Sequence, residues 1–554
     1  MLNTTDLIVI IGYILGVVAL GLWAGTRGGR EKALVGGAPS EGDSTSYFLA
    51  GGTLRWPVIG MALFATNISC VHLVSLAQSG FDTGLLNGNF EWMAAFTLVL
   101  LALFFAPFYI KTRISTLPDY LERRYDRACR DWLAVLSIVA AVTIHIGFSF
   151  LTGGLVLGYL FPEFGGIYTA IIVIAAVTGL YTIVGGLLAV VLTETVQTVV
   201  LLVGALVITA AAWFKLGGWA PLVETLQAAG ATEKLSMLRP AGDPSGMPWY
   251  AILLGYPVLG VWYWCADQTI VQRVLGARDE NHARTGALFC ALLKVFPVFL
   301  FVLPGLLAFA LHHRGALDLS SLTTNGTLDS KNVYSAMIVE LLPAGLRGLV
   351  VAAMLAALMS TVAGALNSIS SLVSLDLYKR FRPAASDKRL VAVGRIAAAV
   401  ALVLSISLIP LLNRYESLFN GLNTIIAHIA PPVTCVFLLG IFWSGATALS
   451  GRLTLWAGSA LGAGVFAFNS FVPDQPLAKV PFMLMAFYLL VACIVFQVAV
   501  SLAKPATESE RAAAVCWKSP LDPLRSPGWP GLANYKVLSL LVLVGMAALY
   551  TFFR

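Results

Sequence analysis

The sequence predicts an all-α polytopic membrane protein of about 14 transmembrane helices, with two five-helix halves in an inverted repeat. Three observations predict it. Of 554 residues, 58% are hydrophobic and 11% charged, and the mean hydropathy is +0.84, outside the range of soluble domains. Apolar stretches of about twenty residues recur from end to end, each able to cross a bilayer core of about 30 Å. Two spans are interrupted by polar residues and helix breakers, and they lie five places apart in the order of spans.

Taken in order, the predicted spans are 4–26, 53–81, 88–110, 130–160, 164–185, 188–214, 248–272, 286–312, 332–378 (with an outer helix first), 390–412, 418–443, 449–470, 480–502 and 535–553. Residues 1–52 form an extra N-terminal helix and a loop. This first span lacks a basic n-region and exceeds the apolar core of a cleaved signal, so it is expected to remain as an anchor. Residues 53–214 make the first half (core helices 1–5) and 248–443 the second (core helices 6–10). Residues 444–554 add peripheral helices and the loop 503–534. No separate soluble domain is indicated.

Orientation follows from the loop charges. Segment 111–130 carries Lys111, Arg113, Arg123, Arg124, Arg127 and Arg130, and 379–389 carries Lys379, Arg380, Arg382, Lys388 and Arg389. Loops of opposite parity near 81–88 and 160–166 carry neither Lys nor Arg. This places 27–52, 111–130, 273–285, 379–389 and 503–534 in the cytoplasm and both termini outside. The net charge of +7 therefore belongs to topology, and no nucleic-acid partner is expected. None of the seven cysteines falls in a predicted outer loop, so no disulfide framework is expected. Walker, HExxH and GxSxG motifs are absent, which leaves an ATP-driven pump or a membrane hydrolase without support.

Ionisable groups at mid-membrane depth are costly and are candidates for function. Glu91, Glu194, Lys294, His72 and His145 qualify, while Arg395, a turn inside a helix end, is expected to snorkel. The second span, "FATNISCVHLVSLAQSG", sets Asn67, Ser69, His72, Ser75 and Gln78 among apolar residues. The seventh, "YPVLGVWYWCADQTIVQR", holds Pro257, Gly260 and Asp267-Gln268. Paired broken helices at matching places point to a transporter with a midplane site. Residues 356–371, AALMSTVAGALNSISS, add adjacent hydroxyls at Ser360 and Thr361 in an otherwise apolar helix. Close helix packing by small residues is one reading of this stretch. A cation site is the other.

The chain resembles the sodium/solute symporter family, in particular its sugar branch of bacterial sodium/galactose and vertebrate sodium/glucose cotransporters. The resemblance runs through "LFATNIS", "GNFEWMAAFTLVLLALFFAPFYI", "STLPDYLERRY", "GGLLAVVLTETVQTVVLLVGA", "YWCADQTIVQRVLGA", "LKVFPVFLFVLPGLLA", "AALMSTVAGALNSISSLVSLDLYKR", "APPVTCVFLLGIFW" and "GWPGLANYKVLS", most of residues 50–550. It implies a LeuT-like fold and a secondary active transporter, not an enzyme. Sodium is the implied coupling ion, a sugar such as glucose or galactose the solute, and no organic cofactor is implied.

The sodium ligands implied are the backbone carbonyls of Ala65, Ile68 and Ala357 with the hydroxyls of Ser360 and Thr361. The spacing agrees: 357, 360 and 361 share one helix face, and a non-helical "ATNI" would free carbonyls for a hard cation. The implied sugar-binding residues are Asn67, His72, Glu91, Tyr263, Lys294 and Asn423. His145 stands near a position where relatives carry Asn or Lys and is a further candidate. Glu91 and Lys294 could also neutralise one another. Tyr263 would form the inner gate, and Leu76, Phe90 and Phe419 the outer one. Asn423 replaces a usual Gln, and Glu194 a usual Asp. Members carrying two sodium ions place further hydroxyls after the first pair, where this chain has Ala363 and Gly364, so one sodium per sugar is expected. The expected surroundings are a lipid bilayer, a bacterial inner membrane by the short loops and Ala/Gly-rich composition, with no obligate protein partner. A symporter of an inositol, a sialic acid or an amino acid remains open, as does a sugar sensor or channel.

Overall fold

The computed structural model describes residues 3–34, 44–161, 167–243, 245–324, 327–413, 418–472, 475–506 and 510–554. In hydrocarbon every backbone N–H and C=O must be satisfied within the protein, which turns the apolar runs into helices. Ten described segments are long and apolar enough to cross a membrane. Two of them, Cys70–Lys111 and Tyr168–Leu216, run 42 and 49 residues. At about 1.5 Å per residue each has length for two crossings. Two more helical stretches fall outside those ten, the broken helix over 249–275 and Ala448–Phe471. Every predicted span thus has a helical counterpart.

Helix α1 (Thr4–Leu34) is more than an anchor. Its Asp6 is fully buried and accepts from the N–H groups of Gly345 (2.7 Å) and Gly348 (2.9 Å). The carboxylate satisfies donors at the start of a core helix that its own first turn leaves unpaired.

The second span breaks into α2 (Trp56–Asn67) and α3 (Cys70–Thr83). Between them Ile68 (φ −77°, ψ 96°) and Ser69 (φ −92°, ψ 173°) are extended. Ser69 caps α3 reciprocally with His72, whose Nδ1 lies 3.2 Å from the Ser69 N–H. Downstream come α4 (Asn89–Leu100), α5 (Arg127–Ala140) and α6 (Phe148–Leu160). Two predicted spans then run through one 50-residue element, α7 (Ile167–Leu216), bent at Gly186 (φ 64°). A side chain at 186 would strain this backbone and strike the Tyr47 carbonyl oxygen at 2.7 Å. The Ile183 and Val184 carbonyls just before the bend take side-chain donors. Arg395 donates to both (3.0 and 3.2 Å) and Tyr47 donates to the first (2.9 Å). Arg395, expected to snorkel, is exposed and also reaches these backbone carbonyls.

The second half repeats the break. Helix α8 (Trp249–Val261) passes through a wider turn at 262–266, and Asp267 (φ −85°, ψ 123°) is extended before α9 (Gln268–Leu275). Then follow α10 (Glu280–Leu293), α11 (Leu303–His313), α12 (Leu346–Ser371), α13 (Asp387–Ser407) and α14 (Leu418–Phe442). The peripheral helices are α15 (Ala448–Phe471), α16 (Phe482–Ala503) and α17 (Tyr535–Phe552). Helices α3 and α11 cross with backbones touching: a Cβ on Gly305 would lie 1.8 Å from the Ala77 carbonyl oxygen.

The basic segment 111–130 does more than set topology. Buried Arg124 donates to the carbonyls of Gly440 (2.7 Å), Trp443 (2.8 Å) and Ala446 (3.1 Å), capping the end of α14.

Candidate functional site

The broken segment between α2 and α3 lies against α12 where that helix carries its paired hydroxyls. Ser360 bonds the carbonyl oxygens of Ala65 (2.9 Å) and Ala357 (3.0 Å), and Thr361 bonds that of Thr66 (3.1 Å). Both hydroxyl residues are at most 2% exposed. Five neutral oxygens thus meet between an α-helix and the frayed end of another. Neutral hydroxyl and carbonyl oxygens of this kind are the donor set a small hard cation takes.

Four of the five predicted ligands, Ala65, Ala357, Ser360 and Thr361, lie in this cluster. Ile68 is the first extended residue past the helix end, its N–H still bonded to the Phe64 carbonyl. Thr361 reaches Thr66 in its place. Thr66 was not anticipated as a partner, although it sits between two residues that were.

A cavity of about 80 Å³ opens beside this cluster, and Thr361 lines both. All seven predicted solute residues line it: Asn67, His72, Glu91, His145, Tyr263, Lys294 and Asn423. Phe90 lines it too. Leu76 is fully buried and does not, while the side chain of Phe419 lies outside the described residues. The sequence reading missed Ser149, Tyr256 and Trp264, which also line it. The "WYW" run around Tyr263 was the available signal for Trp264.

The polar groups form one connected set. Lys294 donates to the Glu91 carboxylate and to Asn67 Oδ1 (2.5 Å), and Asn67 Nδ2 donates to the Tyr263 hydroxyl (3.1 Å). Lys294 and Glu91 are both 1% exposed, so each offsets a charge the other could not hold alone at this depth. The Lys294 ammonium also lies 5.4 Å from the Trp264 ring centroid. His72 Nδ1 accepts from a backbone N–H, so the neutral ring carries its proton on Nε2, 3.9 Å from Glu91 Oε1. His145 Nε2 faces Asp267 Oδ2 at 3.3 Å, at the second helix break. The result is a nearly neutral pocket with donors, acceptors and aromatic faces together.

Glu194 lies outside this cavity. Its carboxylate takes a two-pronged contact from Arg273 (Nη2–Oε1 2.5 Å, Nε–Oε2 3.3 Å) and accepts from the Thr66 hydroxyl (2.9 Å). Ala363 and Gly364 on α12 give it no hydroxyl partner. The partners come instead from the two broken helices. A Cβ on Gly364 would lie 2.4 Å from Arg273 Nη2, so the guanidinium occupies the room that glycine leaves.

Two helices broken at equivalent places, with an oxygen cluster and a polar cavity at the first break, define a secondary transporter of the inverted-repeat class. The family model "sodium:solute symporter family" matches residues 47–458, and the chain belongs to that family. It is 35% identical over 465 residues to the sodium/glucose cotransporter 1 of Ovis aries, covering 79% of this chain and 68% of that protein. It is 34% identical over 499 residues to a sodium/mannose cotransporter of Bos taurus, covering 86% and 81%. Among solved structures, a Na+-coupled sialic acid symporter in a substrate-bound outward-open state superposes with a TM-score of 0.77. That match spans 92% of this chain and 100% of the other at 21% identity, and it establishes the shared fold.

Proposed function

We propose that this protein couples inward movement of one sodium ion to uptake of one sugar molecule, by alternating access between the halves 53–214 and 248–443. The observation that carries the sugar reading is the Lys294–Glu91–Asn67 set. Its charges cancel, so it offers hydroxyl-matching donors and acceptors without a free cation for a carboxylate. Relatives named for glucose and mannose transport support the same choice. In this reading the Ser360–Thr361 cluster holds the sodium, and Asn67, His72, Glu91, Lys294, Asn423 and His145 bind the sugar. Tyr263 gates the inner side, Phe90, Leu76 and Phe419 the outer. The loop charges support an orientation with both termini outside, and the short loops and Ala/Gly-rich composition support a bacterial inner membrane.

The test is a panel of solutes screened for sodium-dependent thermal stabilisation of the purified protein. An aldohexose is expected to raise the melting temperature with sodium and not with potassium. Stabilisation by an amino acid or a sialic acid alone would overturn the sugar assignment.

The one-to-one ratio rests on Glu194. A second ion there would have to displace Arg273 from a fully buried pair, with no side-chain oxygen from Ala363 or Gly364 to replace it. At about 100 mV one charge contributes about 2.3 kcal/mol. A tenfold sodium gradient adds about 1.4 kcal/mol. Together these cap accumulation near ~500-fold, and two ions would square it. Reversal-potential measurements on vesicles are expected to give a coupling ratio of one, and a ratio of two would refute the argument.

A further inference from the structure

We propose that a second cavity, between α5, α14 and α15, takes up a small uncharged amphiphile from the bilayer by its hydroxyl group, and that its occupancy is felt at the solute site through α14. The cavity measures about 290 Å³ and is walled by apolar side chains including Ile425, Ile429, Ala463 and Phe466. This is room for about ten water volumes, the size of a molecule such as octanol. Val135 and Val139 on α5 and Trp456 on α15 are exposed beside it, where the helix bundle meets lipid.

Two polar side chains interrupt this lining. His428 is 6% exposed, and its Nδ1 lies 2.8 Å from the Thr424 carbonyl oxygen. A carbonyl only accepts, so Nδ1 carries the proton and the neutral ring presents Nε2 as a bare acceptor. Phe466 packs edge-on against the imidazole at 5.4 Å. Neither Nε2 nor the buried Ser459 hydroxyl oxygen has a hydrogen-bond partner among the described residues. Buried polar atoms are rarely left so, and an acceptor and a hydroxyl lining one apolar pocket match a ligand hydroxyl on an apolar tail.

The same helix serves both cavities. Leu422, Asn423 and Ile426 of α14 line the solute site, while Ile425, His428 and Ile429 line this one. Three and four residues after His428, Pro431 and Pro432 remove two backbone donors from α14, which leaves it able to bend there. A ligand lodged between α14 and α15 therefore shifts the helix that carries Asn423.

The test uses the full chain in lipid vesicles, photolysed with a diazirine-bearing octanol and mapped by mass spectrometry. Saturable labelling is expected on peptides covering 425–429 and 459–466, displaced by excess octanol. It is expected to fall at least tenfold in Ala463→Phe, which fills the pocket, and severalfold in His428→Phe, which keeps a ring without the acceptor. Ser459→Ala, which alters no packing volume to speak of, is expected to give a severalfold drop and carries the test should the bulkier variants misfold. Diffuse, unsaturable labelling along the lipid face, or labelling equal in the variants, means a water-filled void and overturns the proposal. Octanol is also expected to shift the half-saturating solute concentration at least twofold in the parent protein and not in Ala463→Phe. An equal shift in both would overturn the coupling through α14. The labelling result stands apart from the transport reading.

Discussion

Replacing Ser360 and Thr361 together by alanine is expected to raise the sodium concentration needed for half-maximal uptake by more than 100-fold. Each hydroxyl bonded to a charged group contributes about 1.5–3 kcal/mol, and both would be lost at once. Without sodium, the variant gives up only the neutral bonds to the Ala65, Ala357 and Thr66 carbonyls, about 1 kcal/mol apiece. Its melting temperature in sodium-free buffer should then drop by only a few degrees. Sodium titration of uptake and of thermal stability checks both halves of the expectation. Unchanged sodium affinity would remove the cluster from the mechanism.

The second large effect is expected at the buried pair. Lys294→Met or Glu91→Gln strands a charge or a donor at the centre of the membrane, and breaking such a pair costs about 3–5 kcal/mol. Sugar binding at saturating sodium should weaken more than tenfold in either variant. The double variant Lys294→Met/Glu91→Gln carries neither charge, so it should recover folding without recovering sugar binding. That combination separates recognition from mere support of the fold. Wild-type sugar affinity in both single variants would place the pocket elsewhere.

Helices, their breaks and their order were legible because a lipid solvent leaves the chain so few choices. A polar residue such as Asn67 or Asp267 in an apolar run marks where backbone groups find partners outside the helix. The pairing of 360 with 357 was legible for the same reason, since helical periodicity fixes a shared face. Arg273 and Arg124 were not. Each lies near a membrane-side boundary, where sequence reads an arginine as a topology marker. Only the folded chain reveals that one guanidinium meets Glu194, 79 residues away, and the other meets Gly440, 316 residues away. Thr66 was hidden by its dual use, since its hydroxyl and its carbonyl point to different partners.

That dual use has a thermodynamic consequence. In three successive residues, Ala65 and Thr66 offer carbonyls to the hydroxyl cluster, Thr66 also donates to Glu194, and Asn67 joins Lys294 to Tyr263. In the proposed function no flexible linker separates the two binding events; one frayed turn belongs to both. Whatever factor by which sodium tightens the grip on the solute, the solute must tighten the grip on sodium by the same factor. On that proposal, the empty carrier has least reason to hold that turn in one arrangement, and the two cargoes together hold it best.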